Sequence, residues 1–291
     1  MKHKVYPFYF ALGALIPYLI FVAGPGFLGI LYSFTDWNSY STEVNFVGLD
    51  NFSTLFSSGA NYLDYLSHTL IFTALTIVFK TIIALFLALL LDYGVKRLAH
   101  LYRAVIFLPA VLPMIAVGLI FRSMLNPATG ILNEFLRAVG LGVMAQKWLV
   151  DPDIALLSVI AVDTWKGVGY LMVILLAGLQ TISPEYYEAA EIDGASPLAR
   201  FRYITLPLLV PALTVVTLLN MLYGLRVFDI VYVLTRGGPG HATEVVYTAV
   251  FDEFSKGRYG VGTALSSVLF IFMTAAGIFI VQRLTRNTIE V

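Results

Sequence analysis

Long apolar runs separated by short polar stretches organise this chain. Six runs reach the roughly 20 apolar residues that an α-helix needs to cross a hydrocarbon core. They cover about residues 8–34, 66–91, 102–121, 154–179, 204–225 and 263–284. The pattern predicts an all-α, polytopic membrane protein of six transmembrane helices in a single domain over 1–291. The first run contains Pro17 and Pro25, and the third carries Leu108-Pro109-Ala110-Val111-Leu112-Pro113, so both are expected to bend. Such kinks are tolerated where neighbouring helices or water satisfy the freed backbone groups.

The polar interruption between runs four and five has its own grammar. Ser183-Pro184 is a helix start, since serine caps the first turn and proline fits the first helical position. Gly194 suits a left-handed C-terminal cap, and Ser196-Pro197 repeats the start signal. The stretch 184–202 therefore reads as an elbow of two short helices. Acids lie in the first helix, and Arg200 and Arg202 in the second.

Composition supports the membrane reading. Of 291 residues, 59% are hydrophobic and 12% charged, against about 25% charged in soluble domains. Net charge is zero, which leaves no electrostatic footprint for nucleic acid. The absence of cysteine excludes disulfides and thiolate metal sites. Lys2-His3-Lys4 before a long apolar run resembles a signal peptide, but the run is too long, and a retained first helix is expected. Cationic residues set orientation through the short loops. Lys2 and Lys4, then Lys96, Arg97 and Arg103, then the elbow, then Arg283 and Arg286, fall on one side; Arg122, Arg137, Lys147, Arg226, Arg236, Lys256 and Arg258 fall on the other in longer segments, and 35–65 there holds acids and no Lys or Arg, so the short loops decide. Both termini and the elbow are thus expected in the cytosol. The outer segment 122–153 contains an amphipathic stretch, Ile131–Val139, and 226–262 contains the tight turn Gly237-Gly238-Pro239-Gly240. The aromatics of 35–65, among them Trp37 and Phe56, read either as interfacial anchors or as contacts for an external protein.

Glu188-Ala189-Ala190, Gly194, Ile204 and Leu206-Pro207 resemble the EAA loop of ABC importer permeases. FVGLDNF at 46–52, LPAVLP at 108–113, TWKGVGYLM at 164–172 and VFDIVYVLTRGGPG at 227–240 are similar to the same family in order and spacing. The resemblance is to the first permease of maltose-type and glycerol-phosphate-type carbohydrate importers, in the plain six-helix form. It implies the cytoplasmic (inner) membrane of a prokaryote. The implied partners are a second permease subunit, two ABC ATPase subunits and an extracytoplasmic solute-binding protein. It also implies a sugar-like substrate, with ATP and magnesium held by the ATPases and no cofactor in this chain. Glu188, Ala189, Ala190, Asp193 and Gly194 are then expected to dock the ATPase, with Glu188 resembling the family's contact glutamate. The positions that align with the family's substrate path are Met114 in span three, Asp163, Lys166, Gly167 and Tyr170 in span four, and Tyr223 and Val227 from span five.

Read on their own, the residues carry no catalytic signature. No phosphate loop, HExxH or GxSxG occurs, and His3, His68, His100 and His241 are scattered along the sequence, with no metal site expected. Ionisable groups within spans are functional candidates. Asp163 and Lys166 stand three apart on one face of span four, continued by Gly167 and Tyr170. They either neutralise each other or face a polar cavity. Such a cavity suits a sugar, whose hydroxyls need hydrogen bonds and whose C–H face packs on an aromatic ring. Lys166 could instead favour an anionic cargo. Lys80 in span two needs a partner if it lies mid-span, and the sequence names none. A proton-coupled carrier using Asp163, or an intramembrane enzyme, would leave the elbow unexplained.

Overall fold

The computed structural model describes residues 9–57, 61–94 and 97–285. Lys2, Lys4, Lys96 and Arg286, on which part of the orientation reading rests, lie outside the described residues. The described chain is helical throughout, apart from loops and one isolated bridge between Thr35 and Phe46. Four helices are long and apolar enough to span a membrane unbroken: Ala11–Tyr32, Tyr62–Gly94, Pro152–Leu179 and Tyr259–Phe279. Two bent pairs bring the number to six. The chain divides into two compact units, whose described parts lie within Met1–Leu63 with Ala249–Ile271, and within Asp64–Thr248 with Phe272–Val291.

In the first unit, α1 (Tyr9–Tyr18) and α2 (Gly24–Tyr32) are joined by a π turn over Leu19–Ala23. Pro25 has no N–H to give to the carbonyl four residues back. The widened turn absorbs it, with Gly24 N–H donating to Leu19 O, so the expected bend becomes a continuous apolar helix. After it, Val47 N–H donates to Phe34 O, and the Asn51 amide donates to both Ser33 O and Thr35 O, closing the helix end. This gives the FVGLDNF segment an internal structural task, and the short helix α3 (Asp50–Leu55) completes it. The Asp36 carboxylate accepts the Asn45 N–H and side-chain amide, which hold its pKa below the usual carboxylate value. Trp37 packs on Tyr259, ring centroids 4.8 Å apart.

The second unit carries the central helices. These are α4 (Tyr62–Leu89), α5 (Ala99–Val111), α6 (Met114–Met124), α7 (Ile131–Ala138) and α8 (Pro152–Leu179). Span three is broken, not merely kinked: α5 and α6 meet at 92° across Leu112-Pro113. Pro113 cannot donate to Pro109 O, and it forces its predecessor, Leu112, into extended backbone at ψ 139°. The amphipathic stretch appears as α7. An Asp151 cap, whose side chain accepts from Asp153 N–H, together with Pro152, starts α8.

The elbow is α9 (Pro184–Ile192) and α10 (Pro197–Arg200), and α10 continues through a π turn and α11 (Leu206–Leu208). The segment Pro197–Leu208 meets α12 (Val210–Leu225) at 64°. The second elbow helix is thus the start of span five, which the apolar run alone placed at 204. The segment after span five adds α13 (Asp229–Leu234) and α14 (Val246–Ser255), and α15 (Tyr259–Thr285) is the last span.

Two apolar layers flank the middle of α8. Val159, Ile160 and Val162 pack with Phe72, Val117 and Val227 on one side. Val168, Leu171 and Leu175 pack with Ala84, Ala88 and Val216 on the other. Small residues let the backbones approach. A Cβ placed on Gly169 would lie 2.1 Å from Ile106 O of α5. Because backbone cannot yield as a flexible side chain does, Gly169→Leu should abolish accumulation of the folded chain. Gly140→Leu, at a glycine with open space around it but φ +81°, should lower its level only modestly. Detergent-stable yield by size-exclusion checks both.

Candidate functional site

Between the two apolar layers, α4, α8 and α12 bring together a buried polar cluster. Lys80 and Asp163 form an ion pair of 2.5 Å, with side chains 4% and 2% exposed. Tyr223 Oη donates to Asp163 Oδ1 at 2.7 Å. Lys80 also reaches Asn220 Oδ1 at 3.5 Å and lies 4.7 Å above the Tyr223 ring. Asn220 donates in turn to Thr76 O at 3.0 Å. Asp163 sits 11 residues into α8, about 16 Å along its axis at 1.5 Å per residue, which is mid-span. A charge there is costly unless it is paired and hydrogen-bonded, and here each member has partners on other helices.

Of the two readings of Asp163 and Lys166, mutual neutralisation is not what forms. Asp163 takes Lys80, and Lys166 turns to span three, donating to Ala110 O at 3.1 Å. Both changes have a local cause. Gly167 leaves room for the Lys80 stem, since a Cβ there would stand 2.9 Å from Lys80 Cε. The break at Leu112-Pro113 removes the amide that would have served Ala110 O in a continuous helix. A cation at a helix C-terminus is favoured by the helix dipole as well.

A cavity of about 260 Å³ opens on this cluster. Met114, Asp163, Lys166, Gly167, Tyr170 and Tyr223 line it, with Lys80, Phe107, Ala110, Leu171, Leu219 and Asn220. Six of the seven positions read as a substrate path thus meet at one place. Val227 does not join them: it is 2% exposed and packs into the apolar layer with Phe72 and Val117. It follows the end of α12, where the chain turns before α13 and has left the helical face that carries Tyr223. Lys80 and Asn220 were missed as a site. Their only sequence signal is a charge and an amide inside apolar runs, and periodicity cannot say which helix faces which.

The elbow forms as its residues predict. The Ser183 side chain accepts from Glu185 N–H, and Ser196 from Ala199 N–H. Ala195 N–H donates to Ala190 O and Gly194 N–H to Glu191 O, with Gly194 at φ +76°. This is the paired Schellman closure that needs a left-handed residue. Asp193 is the helix C-cap, and Glu188, Ala189, Asp193 and Gly194 are exposed while Ala190 is half-buried. Tyr187 shares a hydrogen bond of 3.1 Å with Thr205, joining the first elbow helix to the base of span five. Arg200 bridges Glu191 at 3.1 Å, an exposed pair worth at most about 1 kcal/mol. Ile192 and Leu198 stand 87% and 74% exposed beside Gly194.

The histidines are less scattered than the sequence implies. His241 Nδ1 lies 2.5 Å from Glu244 Oε2, and His68 Nδ1 lies 3.0 Å from Glu244 O. No group of three or more His, Cys, Asp or Glu among the described residues could hold a metal ion.

An apolar bundle with broken spans, a polar cavity at mid-depth and a capped elbow at one end defines a membrane permease. The family described as the binding-protein-dependent transport system inner membrane component matches residues 81–288, and the chain belongs to it. The chain is 36% identical over 276 residues to a probable ABC transporter permease, YurN, of Bacillus subtilis, covering 94% of each. It is 38% identical over 235 residues to the trehalose/maltose permease MalF of Thermococcus litoralis, covering 81% of this chain and 78% of that one. Identity to the sn-glycerol-3-phosphate permease UgpA of Agrobacterium fabrum is 35% over 282 residues, covering 95% and 94%. A solved chain from a bacterial ABC transporter involved in import of the acidic polysaccharide alginate superposes with TM-score 0.83 at 25% identity, covering 96% of this chain and 94% of that one. The all-α permease fold and the family resemblance read from the sequence therefore hold, and the chain is a multi-pass permease subunit of a binding-protein-dependent ABC importer.

Proposed function

We propose that this chain is one half of the pore of an ATP-driven importer for a sugar, oligosaccharide or sugar derivative. It acts over its whole length as a single permease domain. Its partners are a second permease, two ABC ATPases that bind ATP and magnesium, and a solute-binding protein on the outer face of a prokaryotic cytoplasmic membrane. Both termini and the elbow face the cytosol. The relatives and solved neighbours that handle saccharides or glycerol phosphate support the cargo class.

The observation that carries the coupling role is the elbow. Two helices with side-chain caps meet at a closed turn, and the tip exposes a carboxylate, Glu188, beside large apolar side chains, Ile192 and Leu198. A capped turn moves as a unit, and exposed apolar surface next to charge is what a docking groove recognises. The ATPases close on ATP, push Glu188 to Gly194, and switch the cavity between inward and outward access. The driving force is ATP's differential affinity for the closed ATPase dimer, because a ligand shifts an equilibrium only through differential affinity. Met114, Asp163, Lys166, Gly167, Tyr170 and Tyr223 form the substrate path. Purification of the tagged chain from its native membrane in mild detergent is expected to bring down a second permease and an ATPase in a 1:1:2 complex that hydrolyses ATP. A lone chain that still transports in liposomes without ATP would overturn the reading.

A further inference from the structure

We propose that the mid-span cavity receives an anionic part of the cargo, a carboxylate or phosphate ester, through Lys166 and Tyr170. The inference rests on the importer reading and names the class of solute that the same cavity takes.

It follows from a census of the polar groups that line the cavity. Asp163 has both oxygens engaged, Oδ2 by Lys80 and Oδ1 by Tyr223. Asn220 accepts from Lys80 and donates to Thr76 O. The Tyr223 hydroxyl donates its hydrogen bond to Asp163. Lys80 is spent on Asp163 and Asn220. Lys80 and Asp163 cancel in charge, and Tyr223 and Asn220 are tied into the pair and to Thr76 O. Two polar side chains of the lining stand outside this network. Lys166 uses one of its three N–H donors on Ala110 O at 3.1 Å and has no carboxylate partner. Tyr170 is 46% exposed, and its hydroxyl is available.

The cavity thus offers one uncompensated cation, spare charged donors and a phenol, while the one carboxylate among its described lining residues is already paired with Lys80. A neutral sugar presents hydroxyls that both donate and accept, and would leave the Lys166 charge unanswered in an apolar surround. A carboxylate or phosphate accepts two or more charge-assisted bonds and brings the missing charge. A site whose polar group goes unpaired discriminates strongly against the ligand that fails to pair it. The Lys80–Asp163 pair has a separate task here. It neutralises Asp163, which would otherwise cancel the field of Lys166 from one helical turn away.

The chain has no cysteine, so one thiol can report the potential inside the cavity. Leu219→Cys places it on the lining, at a side chain that is 38% exposed. In the purified complex, labelling of this chain is timed with methanethiosulfonates bearing either a sulfonate or a trimethylammonium group, each normalised to its rate on a free thiol. The sulfonate reagent is expected to react faster than the trimethylammonium one. Lys166→Gln should lower that ratio about tenfold, as one charge at cavity distance implies, and Lys166→Arg should preserve it. Trigalacturonate should slow labelling, and maltotriose at equal concentration should not. A ratio unmoved by Lys166→Gln, or equal protection by maltotriose, overturns the proposal. ATP with vanadate separates the two readings. If trapping leaves labelling by both reagents unchanged, the importer reading itself fails. If trapping changes labelling but Lys166 does not set the ratio, only the anionic cargo falls.

Discussion

Gly194→Pro is expected to abolish cargo uptake while leaving the chain inserted and its transmembrane bundle folded. Gly194 stands at φ +76°, and its N–H donates to Glu191 O. Proline holds φ near −65° and has no N–H, so both halves of the Schellman closure are lost and the angle between α9 and α10 with them. The damage stays local because Gly194 is exposed with open space around it, whereas the elbow's hold on the bundle runs through Tyr187, which packs against the second apolar layer and bonds Thr205. Gly194→Asn is the control, since asparagine enters the left-handed region at small cost, and it should retain most uptake. Glu188→Lys should match the proline variant by a different route: it keeps the helix and inverts the charge offered to the ATPase. Uptake by cells, with the membrane level measured in parallel, checks all three. Wild-type uptake by Gly194→Pro or Glu188→Lys at normal level would remove the elbow from the coupling mechanism.

The second large effect is expected at the buried ion pair. Lys80→Met leaves Asp163 charged at 1% exposure with only the Tyr223 hydroxyl as partner. Removing one member of a buried pair typically costs about 3–5 kcal/mol. Adding Asp163→Asn should recover most of that loss, because the uncompensated charge goes while the hydrogen bond to Tyr223 remains possible. The two changes are therefore expected to be strongly non-additive in a double-mutant cycle. Thermal unfolding of the purified complex, followed by the fraction that stays monodisperse, supplies the four corners. Additive losses would mean that Lys80 and Asp163 do not pair in the membrane. Gly167→Leu belongs to the same test. Its side chain would enter the volume of the Lys80 stem, and the stability loss should approach that of Lys80→Met.

Some of this protein could be read without coordinates. The elbow was legible to the residue, because capping is local chemistry: Ser183, Ser196 and Gly194 act on amides and carbonyls within a turn of themselves. The number of spans was legible too, since crossing a membrane is a matter of length and hydropathy. Boundaries went astray where proline decided them. Span three broke by 92° at Leu112-Pro113, and span five began at Pro197, inside what read as polar elbow.

The cavity was half legible. Met114, Asp163, Lys166, Gly167, Tyr170 and Tyr223 do meet, on a helix face that three- and four-residue spacing predicts, extended by family resemblance to two other spans. Partnership among them was not. Asp163 and Lys166, three apart, had the spacing to pair, yet Asp163 took Lys80 from α4, and Lys166 took a carbonyl freed by the break in span three. Val227 left the group for the apolar layer because the chain turns at the end of α12.

The sequence by itself determined the membrane class, the six apolar spans, the elbow's caps and the family. Each follows from hydropathy, from length or from bonds closed within a few residues. Only the tertiary structure decided which helices face one another, and hence that Lys80 answers Asp163, that Asn220 joins them, and that Lys166 is left with charge to spare. Contacts between spans depend on where each helix breaks and which small residues let two backbones touch. Those quantities become definite only when all the spans are packed together.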